Sequence, residues 1–171
     1  MTQEELKQRQ DKAKELMENV KWGNVMESMT GEVLRERVKF GRNFPIPHQI
    51  SLVPSENKYD AIEEHIFPEL IARCPVTGIR DLYKLIVRYI PNKYFPEMKS
   101  YKFYLMDYEE YKVPISHETL ADKIYDELKQ ALDPKKLYVE LQTAERGEIT
   151  TTPRVGDMEL SNYEEKSFKR N

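Results

Sequence analysis

Cys74 is the only cysteine among 171 residues, and it opens the segment Cys74-Pro75-Val76-Thr77-Gly78-Ile79-Arg80-Asp81. A lone thiol forms no internal disulfide, so it is either a packed small apolar group or a reactive one. Pro75 and Gly78 mark a tight turn rather than a core element. Asp81 follows at the far end of that turn, where its carboxyl group can fold back toward the sulfur. A thiol and a carboxyl group on one turn are the minimum parts for covalent catalysis with proton transfer. Downstream, Glu97-Met98-Lys99-Ser100-Tyr101-Lys102 carries two lysines three residues apart. On a helix they share a face, where the two ammonium groups either stay solvated or straddle an anion such as a phosphate. His117-Glu118 opens a later helical stretch. Glu118 there is either an acid complementing the helix dipole or a carboxylate accepting two N–H donors from a purine-like edge. His117 titrates near neutral pH, as a proton shuttle must. His48 and His65 receive no role, and no metal site is expected.

The chain has 27 basic and 30 acidic side chains, a formal charge of −3 with histidine neutral. That balance gives no general electrostatic reason to expect nucleic acid as a partner. With 39% apolar and 33% charged residues, the chain reads as soluble and globular, long enough for one real core. No apolar run approaches the ~20 residues needed to cross a bilayer. The polar start Met1-Thr2-Gln3-Glu4-Glu5 lacks a signal-peptide core. A single cysteine and no targeting segment predict a reducing, cytoplasmic setting.

The elements that must position these groups lie mostly past residue 57. Before it, residues 4–21 read as an amphipathic helix with a thin apolar stripe, and Thr30–Phe40 as a second helix. Pro45, Pro47 and Pro54 make 41–57 an irregular connection. From Lys58 the pattern predicts a strand over 59–67, the Cys74 turn, and a strand over 82–90 with Tyr83, Leu85, Val87 and Tyr89 on one face. Met98, Tyr101, Leu105 and Tyr108 recur at helical intervals after Pro96-Glu97, a good helix start. A second helix follows from Ser116, carrying Leu120, Ile124, Leu128 and Leu132, and stops at Asp133-Pro134. Residues 137–143 alternate as a strand, with 148–152 as a short partner across the Arg146-Gly147 loop. The order strand, strand, helix, helix, strand, strand predicts an α+β fold: an antiparallel four-stranded sheet with both helices on one face. Open edges of such a sheet need covering or pairing, and an oligomer closing the sheets into a barrel supplies that. The segments are then an N-terminal helical extension and linker (1–57), a domain (58–157) and a polar tail (158–171).

Taken in order, Cys74-Pro75-Val76-Thr77-Gly78 with Asp81, Tyr89-Ile90-Pro91, Glu97-Met98-Lys99-Ser100-Tyr101-Lys102-Phe103-Tyr104-Leu105 and His117-Glu118 resemble the NADPH-dependent nitrile reductase family. The resemblance runs from about Lys58 to Asp157. It implies the tunnelling fold and reduction of 7-cyano-7-deazaguanine to its aminomethyl form, on the route to queuosine. It implies Cys74 as the nucleophile forming a thioimide, Asp81 as the acid that protonates the nitrile nitrogen, and His117 as a neighbour in proton transfer. Glu118 would hold the deazaguanine edge. Lys99, Ser100 and Lys102 lie in the cofactor motif and Arg146 in a further cofactor loop, both for NADPH. Partners would be the small 7-deazapurine nitrile and further copies of the chain, with sites at subunit interfaces. Archaeal relatives with the same thioimide chemistry are amidinotransferases that use ammonia on the nitrile base in tRNA. The intact lysine motif and the negative net charge favour the reductase over these, and over a purine-binding protein without catalysis.

Overall fold

An unbroken apolar row at every second position from Tyr83 to Tyr89 makes this stretch the spine of the structure, because every second side chain faces the same side of a sheet. The computed structural model describes residues 49–110, 115–145 and 148–162. Its elements in chain order are β1 (Leu52–Pro54), β2 (Glu63–Arg73), β3 (Arg80–Ile90), β4 (Tyr94–Pro96), α1 (Met98–Glu110), α2 (His117–Leu132), β5 (Lys136–Thr143), β6 (Arg154–Gly156) and a 3-10 helix (Met158–Asn162). The main sheet has the order β2-β3-β5-β6, with every neighbouring pair antiparallel. Tyr83, Leu85, Val87 and Tyr89 of β3 and Leu137, Val139 and Leu141 of β5 are buried on one face. Tyr101, Tyr104, Leu105 and Tyr108 of α1 join Leu120, Ile124, Leu128 and Leu132 of α2 in that same core cluster. Both helices therefore cover one face, as the apolar spacing predicted. The Tyr104 and Tyr108 hydroxyls each donate to Glu127 Oε2 at 2.7 Å, tying α1 to α2.

β2 runs from Glu63 to Arg73, beyond the 59–67 predicted, because Pro68 does not end it. The register steps from Phe67↔Leu85 to Leu70↔Tyr83, so Pro68 and Glu69 together stand opposite Lys84 in a bulge. Proline is tolerated there because β2 is an edge strand. The bulge re-phases the strand, which keeps Leu70 and Ala72 in the core and pairs Ala72 with Asp81. His65 is half-buried: its ring packs against Tyr89 and Tyr101 at 5.3 and 5.6 Å, and burial pushes it below its ordinary pKa.

Three further boundaries differ from the sequence-based expectation. The 41–57 connection contains β1, which pairs with β4. The partner of β5 is Arg154–Gly156 rather than 148–152, although the carbonyls of Thr151 and Pro153 already accept from Thr143 and Leu141. The polar tail expected from 158 opens with the 3-10 helix, whose Leu160 is buried and whose Leu160 and Ser161 carbonyls accept from Arg88. The folded unit thus extends past both ends of 58–157. The helices expected over 4–21 and 30–40, together with His48, lie outside the described residues.

Candidate active site

The Cys74 turn is the six-residue loop 74–79 joining β2 to β3, closed by the Arg73↔Arg80 pair. Cys74 N–H donates to the Ile79 carbonyl at 2.9 Å, and Gly78 N–H to the Cys74 carbonyl at 2.9 Å. Gly78 takes φ +69, a conformation that glycine adopts without penalty. Both feet of the loop are clamped to the end of α1: Arg73 Nε donates to the Glu109 carbonyl at 3.1 Å, and Arg80 Nη2 pairs with Glu109 Oε1 at 2.7 Å. Arg73 Nη1 also reaches the Gly78 carbonyl at 3.3 Å. Arg73, Arg80 and Glu109 were not among the residues singled out in the sequence. Nothing in their local pattern marks them, since the clamp joins positions far apart in the chain.

Within this loop Cys74 is half-buried. The Thr77 hydroxyl, followed by the backbone N–H groups of Thr77 and Val76, holds the thiol below its ordinary pKa. Slight burial and the charge of Asp81 push the other way. These donors stabilise the thiolate, which is the nucleophilic form. Asp81 Oδ2 accepts from the buried Tyr83 hydroxyl at 3.4 Å, so the carboxyl is steadied on the helix-covered face, in register with Ala72. Thr77→Ala is expected to move the pH profile of Cys74 alkylation by iodoacetamide to higher pH, because the largest stabiliser of the thiolate is gone. Thr77→Ser keeps the hydroxyl and should leave the profile in place. An unchanged profile in Thr77→Ala would show that the hydroxyl does not act on the sulfur.

The start of α2 is delivered to the same end of the sheet, because Ile115 N–H donates to the Arg73 carbonyl at 3.1 Å. Ser116 caps the helix as its sequence predicts, accepting from Thr119 N–H. His117 Nε2 lies 2.9 Å from Glu118 Oε1, and Glu118 is 68% exposed. The Glu118 backbone N–H, then the Ser116 hydroxyl and the His117 ring, hold its carboxyl below the usual range against a slight opposing effect of burial. β5 also ends here, since Ala144 N–H donates to the Leu82 carbonyl. Arg146 lies outside the described residues.

Lys99 and Lys102 are both exposed on the first turns of α1. Glu97 caps this helix, its carboxylate accepting from Lys99 N–H at 3.0 Å and Ser100 N–H at 2.8 Å. An anion at this end therefore meets lysine ammonium groups rather than helix N–H donors. Ser100 is fully buried: its hydroxyl donates to the Glu97 carbonyl and accepts from Ser51 N–H at 2.9 Å. It braces the helix start against the residue before β1. From Lys99 to the Glu109 clamp is ten residues of helix, about 15 Å. Cys74, Asp81, His117 and Glu118 thus share one end of the sheet, and the lysines stand at the other end of α1.

Over 100 residues this chain is 37% identical to the NADPH-dependent 7-cyano-7-deazaguanine reductase of Chloroherpeton thalassium, a match covering 57% of this chain and 84% of that relative. The chain belongs to the QueF-like family. The pattern of the QueF-like protein family matches residues 81–162. The protein of the same description from Thermoanaerobacter pseudethanolicus is 40% identical over 92 residues, covering 54% of this QueF-like chain and 68% of that relative. The crystal structure of the archaeosine synthase QueF-Like in the apo form superposes with a TM-score of 0.52 at 19% identity, covering 58% of this chain and 95% of that one. At that identity the likeness is one of fold.

Proposed function

We propose that this chain is an NADPH-dependent nitrile reductase acting on 7-cyano-7-deazaguanine, with Cys74 as the covalent nucleophile. The observation that carries the reading is the loop itself. It holds a thiol whose anion is stabilised by Thr77 and Val76, beside a carboxyl group on the adjoining strand. The Cys74 sulfur adds to the nitrile carbon while Asp81 delivers a proton to the nitrile nitrogen, giving a thioimide with no net change in protons. Glu118, ionised and exposed, accepts the N–H donors of the deazaguanine edge. His117, beside it, relays protons as the adduct becomes an amine.

The residues at the start of α1 fit a phosphate-bearing cofactor: two exposed cations on one helix face, with the helix N–H groups already capped by Glu97. Lys99 and Lys102 would bind NADPH phosphates through their ammonium groups, Ser100 holds that helix start in place, and Arg146 adds a contact from the loop after β5. NADPH supplies hydride, and the protein orients the adduct and excludes water.

The distance along α1 bears on assembly. In our reading the chain forms a homo-oligomer of the tunnelling fold, closing its sheets into a barrel and completing each site at a subunit interface. Val76, Ile79 and Leu82 support this, since three large apolar side chains around one catalytic loop stand exposed in a single chain.

The test is nitrile-dependent loss of NADPH absorbance by the full chain, expected to require both substrates. Lys99→Ala and Lys102→Ala are each expected to weaken NADPH binding about tenfold while the covalent adduct on Cys74 still forms. Unchanged cofactor affinity in both variants would refute the role given to the lysines. The family resemblance also offers a second reading, addition of ammonia to a nitrile base in tRNA. Amidine formation from ammonia with no NADPH oxidation would replace the first reading by the second.

A further inference from the structure

The face of the main sheet turned away from the helices mixes charged with apolar side chains, among them Ile66 and the buried Ile86. β3 puts Lys84 and Arg88 there, β5 puts Tyr138, Glu140 and Gln142 there, and β6 adds Arg154. An apolar layer laid on this face would strip water from several charges, at high cost. The face instead forms a polar cavity of about 410 Å³, within the range of small-ligand sites, whose walls include Lys84, Arg88, Glu140, Gln142, Arg154 and Ser161.

Arg88 and Glu140 are the internally satisfied walls of this cavity. Arg88 is 6% exposed; its Nε donates to Glu64 Oε2 at 2.5 Å, and its Nη1 to the Leu160 and Ser161 carbonyls at 3.3 and 3.4 Å. Glu140, 7% exposed, accepts from the Tyr138 hydroxyl at 2.6 Å, Gln142 Nε2 at 2.8 Å and Arg154 Nε at 3.2 Å. Both of its oxygens are then occupied. Three polar groups stay available. Lys84 Nζ has no hydrogen-bond partner among the described residues. Arg154 engages Glu140 through Nε, leaving its terminal nitrogens. Gln142 donates through Nε2, leaving Oε1 as an acceptor. Counting Lys84, Arg88 and Arg154 against Glu64 and Glu140 leaves one positive charge in excess.

We propose that this cavity is a binding site for a phosphate group, free or as a nucleoside monophosphate, held by Lys84 Nζ and the terminal nitrogens of Arg154. Two cationic donors suit any oxyanion, but Gln142 Oε1 asks for a ligand that also donates. A carboxylate has no proton to give at neutral pH, whereas a singly protonated phosphate does. The site is separate from Cys74 and from the lysines of α1, and it does not rest on the proposed reaction.

Calorimetric titration of the full chain with inorganic phosphate, and separately with adenosine monophosphate, tests this at constant ionic strength set by chloride. Saturable binding of at least one is expected; binding of phosphate alone marks a free-ion site, and preference for the nucleotide marks a nucleotide site. Lys84→Met and Arg154→Met should each weaken that binding about tenfold, with Lys93→Ala, an exposed lysine outside the cavity, leaving it in place. Because Arg154 also braces Glu140, Lys84→Met carries the test if the arginine variant does not fold. No saturable binding of either ligand, or binding lost in Lys93→Ala and retained in Lys84→Met, overturns the proposal.

Discussion

Incubated with 7-cyano-7-deazaguanine and no cofactor, the unaltered chain is expected to gain the mass of one nitrile, and Cys74→Ala to gain none. The proposed thioimide would be an addition product, so the whole nitrile would stay on the protein until hydride arrived. With NADPH present, Cys74→Ala should lose at least about 10³-fold in turnover, the scale on which removal of a covalent nucleophile acts. The loss would be chemical rather than structural. Cys74 is half-buried at the mouth of a loop whose shape is set by backbone hydrogen bonds and the Glu109 clamp, neither of which uses the sulfur. The variant's thermal midpoint should therefore match that of the unaltered chain. A mass gain that persists in Cys74→Ala, or NADPH oxidation by the unaltered chain with no adduct on Cys74 at any time, would remove this thiol from the mechanism.

Gly156→Ala carries the largest expected effect on stability. Gly156 pairs with Tyr138 at the end of β6 and takes φ +99, a backbone conformation that residues with a Cβ rarely adopt. A methyl group there would stand 2.2 Å from the Leu137 carbonyl oxygen and 2.5 Å from Tyr125 Cε2 on α2. Neither neighbour can yield cheaply: the carbonyl belongs to β5, and the ring packs against the core. The expected loss is about 3–4 kcal/mol in urea unfolding, or roughly 10 °C in the thermal midpoint. Gly78→Ala is the control. Its φ is +69, but nothing lies within 4 Å of the added methyl, so only backbone strain of about 1 kcal/mol applies. Equal losses in the two variants would mean that the β5–β6–α2 contact is looser than its geometry.

Elements defined by their own repeat were legible in the sequence. Leu120, Ile124, Leu128 and Leu132 recur at helical spacing, and all four are buried where α2 meets the sheet. Tyr83, Leu85, Val87 and Tyr89 alternate, and all four lie in the core. Met98 shared the spacing of α1 yet is 59% exposed, because it is the first residue of the helix and precedes the core face. β1 and β4 were missed, since three-residue strands are too short to show a period and exist only by pairing with each other. The extension of β2 past Pro68 was missed because a proline ends most strands. Here the edge position and the bulge remove that penalty.

The same division runs through the candidate site. By itself the sequence determined that Cys74 and Asp81 flank one turn and that His117-Glu118 opens a capped helix, because those relations are made by neighbours in the chain. It also placed Lys99 and Lys102 on one helix face, by the same short-range geometry. Only the tertiary structure decided that α2 begins beside Arg73, that Glu109 clamps both feet of the Cys74 loop, and that Ser100 is turned inward. It alone set Lys99 about 15 Å and Lys102 about 10 Å of helix from the thiol's end of the sheet. Periodicity records which side of an element is apolar, whereas the distance between two elements is set by packing and long-range hydrogen bonds that leave no local pattern.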